Sequence, residues 1–160
     1  MSVIPVTYAV NPVFSVQPAI IAPPIKNEPD GDLKPSGVGE EILVVDDEAG
    51  ICELVEKVLT RLGYCVIIAG NGEEAVHRYQ RGRSKIQLVL TDVMMSGMNG
   101  WAVIRAIRTI NPDVKIIASS GFKRETLTAL PDLKVNAFLA KPYDLKTLVE
   151  TVQTVLCPPA

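Results

Sequence analysis

Three carboxylates stand where apolar runs end. Asp46 and Asp47 close Ile42-Leu43-Val44-Val45, and Asp92 closes Leu88-Val89-Leu90-Thr91. Ile116-Ile117-Ala118 runs into Ser119 and Ser120, and Phe138-Leu139-Ala140 runs into Lys141. Carboxylates, a hydroxyl and an ammonium gathered in one place suit a divalent cation and a phosphoryl group. Two unit charges about 4 Å apart repel by roughly 4 kcal/mol at an effective dielectric near 20, so such a cluster calls for a cation. All-oxygen donors favour Mg²⁺. Asp92 can then attack phosphorus and form an acyl phosphate. Lys141 and the cation would offset charge on the phosphoryl oxygens, and Ser120 would donate a hydrogen bond to them. The bland alternatives are N-capping by Asp46 and Asp47, which explains one aspartate and not two, and simple loop solvation of Asp92.

The elements that must position these groups follow from hydrophobic period. Ile42–Val45, Tyr64–Ala69, Ile86–Thr91, Val114–Ser119 and Val135–Ala140 read as strands. Between the first two, Ile51, Leu54, Val55, Val58, Leu59 and Leu62 fall at helical spacing, and Gly63 supplies the stop. Asn71 followed by Glu74 reads as a capping box for a second helix. A third helix is expected from about Gly100 to Ile110, a weak fourth over Phe122–Leu133, and a last one capped by Asp144. Strands apolar on both faces and alternating with helices mean a parallel sheet covered on both sides. The expected fold is α/β: a flavodoxin-like doubly wound (βα)5 with a five-stranded parallel sheet of order 2-1-3-4-5. Its switch point lies between the first and third strands, which carry Asp46, Asp47 and Asp92.

Residues 1–38 differ in character, holding seven of the twelve prolines. Proline at that density is incompatible with helix or central strand, so a disordered tail or linker is expected there, with the globular domain at 39–158. Net charge is −2, and no basic patch points to nucleic acid. Ala19–Ile25 is too short and too proline-broken for a membrane span or a signal peptide. The three cysteines lack CxxC spacing. Cys52 and Cys65 are expected as reduced, buried thiols of a cytoplasmic protein.

From about Glu40 to Leu156 the chain resembles the receiver domain of two-component response regulators. The matching pieces, in order, are Val44-Val45-Asp46-Asp47-Glu48, Leu90-Thr91-Asp92-Val93-Met94-Met95, Gly97-Met98-Asn99-Gly100, Ser119-Ser120-Gly121 and Lys141-Pro142-Tyr143. The resemblance implies that Asp92 is the phosphoacceptor. It implies a Mg²⁺ site made by Asp47 directly, Asp46 through water, Asp92, and the Met94 carbonyl. Ser120 matches the switch hydroxyl, with Ser119 the near-miss, and Phe138 the aromatic that moves with it. Lys141 would contact the phosphoryl group, and its bond to Pro142 would be cis. The implied partner is a histidine kinase or a histidine phosphotransfer protein. A homodimer through the face of the fourth helix, fifth strand and last helix is the association such receivers offer.

Three departures stand out. Ser96 occupies a position usually held by proline, which is expected to loosen the loop after Asp92. The stretch between Ser120 and Phe138 is short, and no output domain is expected after the receiver. Two settings stay open, a stand-alone receiver or the C-terminal receiver fragment of a hybrid histidine kinase acting as a relay intermediate. Either way the module would promote its own phosphorylation and slow dephosphorylation without being a turnover enzyme. An aspartyl-phosphate hydrolase is the competing class, but Asp92 is followed by Val93-Met94 and not by the Asp-x-Asp such enzymes carry. A binding module that kept only the fold would need to have lost an acidic residue or the lysine. His77, flanked by Glu73, Glu74 and Arg78, is expected on a solvated helix face with no role in phosphotransfer. Trp101 and Met98 are expected to pack the core and anchor the loop.

Overall fold

The computed structural model describes residues 36–121 and 134–157. Five strands form one parallel sheet: β1 (Glu41–Val45), β2 (Cys65–Ala69), β3 (Ile86–Asp92), β4 (Lys115–Ser120) and β5 (Ala137–Ala140). Their order is β2-β1-β3-β4-β5, as the strand–helix alternation predicts. Four helices are described: α1 (Ala49–Arg61), α2 (Gly72–Gly82), α3 (Gly100–Ile110) and α4 (Leu145–Leu156). The expected weak helix at 122–133 lies outside the described residues.

The period of two along each strand sorts side chains into two cores. Ile42, Val44, Leu88, Leu90, Ile117 and Leu139 face α1 and α4. Leu43, Val45, Val89, Ile116 and Ala118 face α2 and α3. Both faces of the central strands β1, β3 and β4 are covered, which is why they read as unbroken apolar runs. Continuing the first row by two residues carries Val44 to Asp46, Leu90 to Asp92 and Leu139 to Lys141. The alternation that buries the core therefore delivers these three groups to one face of one rim.

Caps fix where the helices begin. Asn71 Oδ1 accepts from Glu74 N at 2.8 Å, Asn99 Oδ1 from Ala102 N at 3.0 Å, and Asp144 Oδ1 from Thr147 N at 2.7 Å. The capping box is incomplete, because the Glu74 carboxylate accepts from Gly70 N instead of Asn71 N. Helix α1 is the exception. Its N-cap is Glu48, with no side-chain capping bond, so neither Asp46 nor Asp47 serves as the N-cap. Arg108 ties the end of α3 to the next segments by donating to the carbonyls of Pro112, Val114 and Lys134.

Cysteine burial corrects one expectation. Cys52 is buried in α1, but Cys65 is exposed. The cause is topology: β2 is an edge strand and Cys65 is its first residue. His77 is exposed, as its charged neighbours imply. No helix among the described residues is long and apolar enough to cross a membrane.

A short strap precedes β1. Ser36 N and Gly37 N both donate to Leu62 O, at 3.1 and 2.8 Å, and Gly39 N donates to Gly63 O at 3.0 Å. These bonds satisfy carbonyls at the end of α1 that the helix leaves open. Ser36 Oγ also lies 3.2 Å from the Tyr64 hydroxyl and accepts from Gln153 Nε2 at 2.9 Å, linking α1 to α4. Glycine is required on both sides: a Cβ on Gly37 would sit 2.7 Å from the Tyr64 ring, and Gly63 has φ +94°. A chain starting at Ser36 should therefore melt above one starting at Glu40 by about 4 °C or more, since each such bond is worth about 1 kcal/mol. Equal melting temperatures by calorimetry would show that the strap contributes nothing.

Candidate functional site

The rim at the carboxyl ends of β1, β3 and β5 gathers the charged groups that the sequence singles out. Asp46, Asp47 and Asp92 each offer one carboxylate oxygen, and these oxygens lie within 4.8 Å of one another. Asp46 and Asp92 are 4% and 5% exposed, while Asp47 is open to solvent. Lys141 Nζ reaches into the group, 2.8 Å from Asp46 Oδ2 and 2.6 Å from Asp92 Oδ2. Glu48 Oε1, 3.6 Å from the same nitrogen, is a fourth carboxylate. One ammonium thus pairs with three carboxylates, with Asp47 beside them, and the excess negative charge sits partly desolvated.

Ionisation reflects that crowding. Burial pushes the Asp46 carboxyl above the usual carboxylate range. Hydrogen bonds from Lys141 and the Glu48 amide work against that rise, and the Asp92 charge adds to it. Burial would likewise lower the Lys141 pKa, yet the bonds to Asp46 and Asp92 outweigh it and hold the ammonium above the ordinary lysine range.

Backbone amides hold the carboxylates in place. Asp46 Oδ1 accepts from Glu48 N at 2.9 Å, and Asp92 Oδ1 accepts from Met94 N at 2.8 Å. Asp47 Oδ2 accepts from Ser96 N at 3.0 Å, across the loop that follows β3. That loop is pulled tight against the strand end. Gly100 N donates to Val93 O at 3.2 Å, and a Cβ on Gly100 would strike the Asp92 carbonyl. Gly100 stands in a motif the sequence exposes, but its steric role needs the loop path to be seen. The Glu48 contact and the Ser96 amide likewise have no sequence signal.

The hydroxyls divide. Ser119 is the register partner of Asp92, and its carbonyl accepts from Val93 N at 2.8 Å. Ser120 is buried at the end of β4, where its carbonyl accepts from Lys141 N at 2.8 Å. Tyr143 lies close by. Burial raises its pKa, Lys141 opposes that, Asp46 adds to it, Ser119 lowers it and Asp92 adds again. The Ser119 contact is too open for a true hydrogen bond, because Ser119 Oγ is buried with no partner in bonding geometry. Phe138 is half-buried on the other face and meets Trp101 edge-on, with ring centroids 6.4 Å apart. Met98 packs on Gly72, anchoring the loop to α2. The Lys141–Pro142 bond is cis.

Chemically, the arrangement is an oxygen-lined anionic pocket with a lysine at its edge. Three carboxylates of this kind can hold a hard divalent cation. Beside them a cleft of about 410 Å³ runs along α1, lined by Asp46, Asp47, Cys52 and Glu53 among others. The Cys52 thiol donates to the Asp46 carbonyl at 3.4 Å, and burial, with the Asp46 charge, pushes its pKa to about 11. A disulfide-exchange reagent at neutral pH should therefore titrate Cys65 and Cys157 in the native protein and reach Cys52 only after unfolding. Three equally fast thiols would show that the α1 packing is looser than described.

Comparison with known proteins agrees with this geometry. The model of the response regulator receiver domain family matches residues 42–153. The transcriptional regulatory protein ZraR of Salmonella typhimurium is 36% identical over 119 residues, covering 72% of this chain but 26% of that protein. The probable transcriptional regulator ycf27 of Porphyra purpurea is 38% identical over 119 residues, covering 73% of this chain and 47% of that one. The chain thus spans about a quarter to a half of the length of these relatives. Among solved structures, the response regulator protein TrrA of Thermotoga maritima, in complex with Mg²⁺ and BeF, superposes with a TM-score of 0.66 at 33% identity. That match covers 72% of this chain and 98% of TrrA. Chemotaxis protein CheY4 of Vibrio cholerae gives a TM-score of 0.68 at 28% identity, covering 73% and 98%. With the family model spanning all five strands but for Glu41, and every charged residue of the rim, the chain belongs to the response regulator receiver domain family.

Proposed function

We propose that this receiver takes a phosphoryl group from a phosphohistidine onto Asp92, in a Mg²⁺-dependent step, and signals through a conformational switch. The observation that carries it is the sharing of one lysine by two buried aspartates whose oxygens, with Asp47, cluster within 4.8 Å. Asp46, Asp47 and Asp92, with the Met94 carbonyl, would hold Mg²⁺. The ion would supply charge compensation for the phosphoryl oxygens.

The chain's own groups do the rest. The Met94 amide on Asp92 Oδ1 fixes the carboxylate's orientation, which favours an attack geometry without further loss of freedom. An Asp92 oxygen forms the new P–O bond as the P–N bond to the histidine breaks, and the imidazole leaves. Lys141, already charged and within reach, transfers its hold from the carboxylates to the incoming oxygens. Ser120 donates its hydroxyl to them, and Phe138 follows that movement. A shift of this kind needs contacts that differ between the two states, and the edge-on packing of Phe138 on Trp101 supports this reading. The donor is a histidine kinase or a histidine phosphotransfer protein, and the module works in the cytoplasm. A homodimer would use the face that includes the fourth helix expected at 122–133, which lies outside the described residues.

Incubation with Mg²⁺ and a small acyl-phosphate donor should add the mass of one phosphoryl group to the intact protein. Asp92→Asn should abolish the adduct and Asp47→Ala should block it, whereas persistence in Asp92→Asn would mean that the nucleophile is misassigned. The lifetime of the adduct has its own signature. Met94 is 56% exposed beside Asp92 and offers no group that could orient an attacking water. Slow self-dephosphorylation is expected, and Met94→Asn should speed it at fixed Mg²⁺. Unchanged or slower decay would remove Met94 as the cause. By the receiver resemblance Phe122, two residues past Ser120, would flank the same approach; it lies outside the described residues.

A further inference from the structure

We propose that the backbone amide of Ser96 is a positioning group for the cation site, presetting Asp47 and tying the loop after β3 to metal occupancy. This rests on the reading of Asp46, Asp47 and Asp92 as a divalent-cation site. The three aspartates are not held alike. Asp46 and Asp92 are buried, and each has one oxygen on an amide and the other on Lys141. Asp47 is exposed and makes no ion pair among the described residues. The Ser96 N–H on its Oδ2, at 3.0 Å, is what sets its direction.

An exposed carboxylate without such a partner samples several rotamers, and an ion must select one of them. A fixed amide makes that selection in advance and leaves the second oxygen free for the cluster, so less freedom is lost on binding. The amide itself is well fixed. Gly97 follows it at φ +75°, a conformation that suits glycine. Met98 then lodges on Gly72, where a Cβ would come within 2.7 Å of its side chain. The sequence suggests that serine in place of proline loosens this loop. The geometry points the other way, because proline has no N–H and could not make the bond. Nothing in it requires the serine hydroxyl, so Ser96→Ala keeps the device and Ser96→Pro removes it.

Titration of the full chain with Mg²⁺ alone, by calorimetry, tests this. Ser96→Ala should bind like wild type, and Ser96→Pro should bind about tenfold more weakly or worse, the worth of one hydrogen bond to a charged group. Equal affinity in a folded Ser96→Pro protein overturns the proposal. No Mg²⁺ binding by the wild type overturns the cation-site reading itself, which separates the two failures. Amide hydrogen exchange gives an answer independent of the proline ring. The Ser96 N–H should exchange measurably faster in Asp47→Ala than in wild type, and equal exchange rates overturn the proposal even if Ser96→Pro fails to fold.

Discussion

Mutual repulsion of carboxylates at one rim of the sheet is the constraint from which the rest of the structure takes its form. Asp46 and Asp92 are nearly inaccessible to water, so solvent cannot screen their charges. Lys141 answers both at once, 2.8 and 2.6 Å away. Removing the lysine would leave two buried anions uncompensated, a change that commonly costs about 3–5 kcal/mol. Yet one ammonium against four carboxylates leaves the site anionic. Stability and reactivity are opposed here: the same excess charge that strains the fold prepares the pocket for a cation.

Delivering the lysine to that point is the work of the sheet. β5 is the far edge, two strands from β3 and three from β1, and only a parallel arrangement puts its last residues at the same rim as theirs. Registers are fixed by bonds well away from the site. Asn136 Oδ1 accepts from Ile116 N, and Asn136 N donates to Ile116 O, both at 2.8 Å. Arg108 holds Lys134 from beneath. A slip of one residue in β5 would send Lys141 to the opposite face, so these distant polar contacts bear directly on the charge balance at Asp92.

Small residues complete the site by permitting approach. Gly100 lets the loop after β3 return onto the Asp92 carbonyl, and Gly72 lets Met98 seat against α2. The loop that results contributes amides, not side chains, to Asp92 and Asp47. Backbone donors of this kind are insensitive to most substitutions in the loop. They respond instead to its path.

What the sequence determined by itself was periodic or chemical. Apolar runs closed by Asp46, Asp47, Asp92 and Lys141 mark strands that end in functional groups, and strand–helix alternation leads to the parallel order. Asn71 and Asp144 mark helix starts, because a cap is a local interaction spanning three residues. Local signals failed where burial depends on topology. Cys65 looks like a core residue until β2 proves to be an edge. The capping alternative for Asp46 and Asp47 falls away only once α1 is seen to begin at Ala49 with Glu48 as its N-cap. The contacts that span the chain, Lys141 with Asp46 and Ser96 with Asp47, were decided only by tertiary structure. They join residues 95 and 49 positions apart, and no period along one strand or helix records which amide or ammonium will meet which carboxylate.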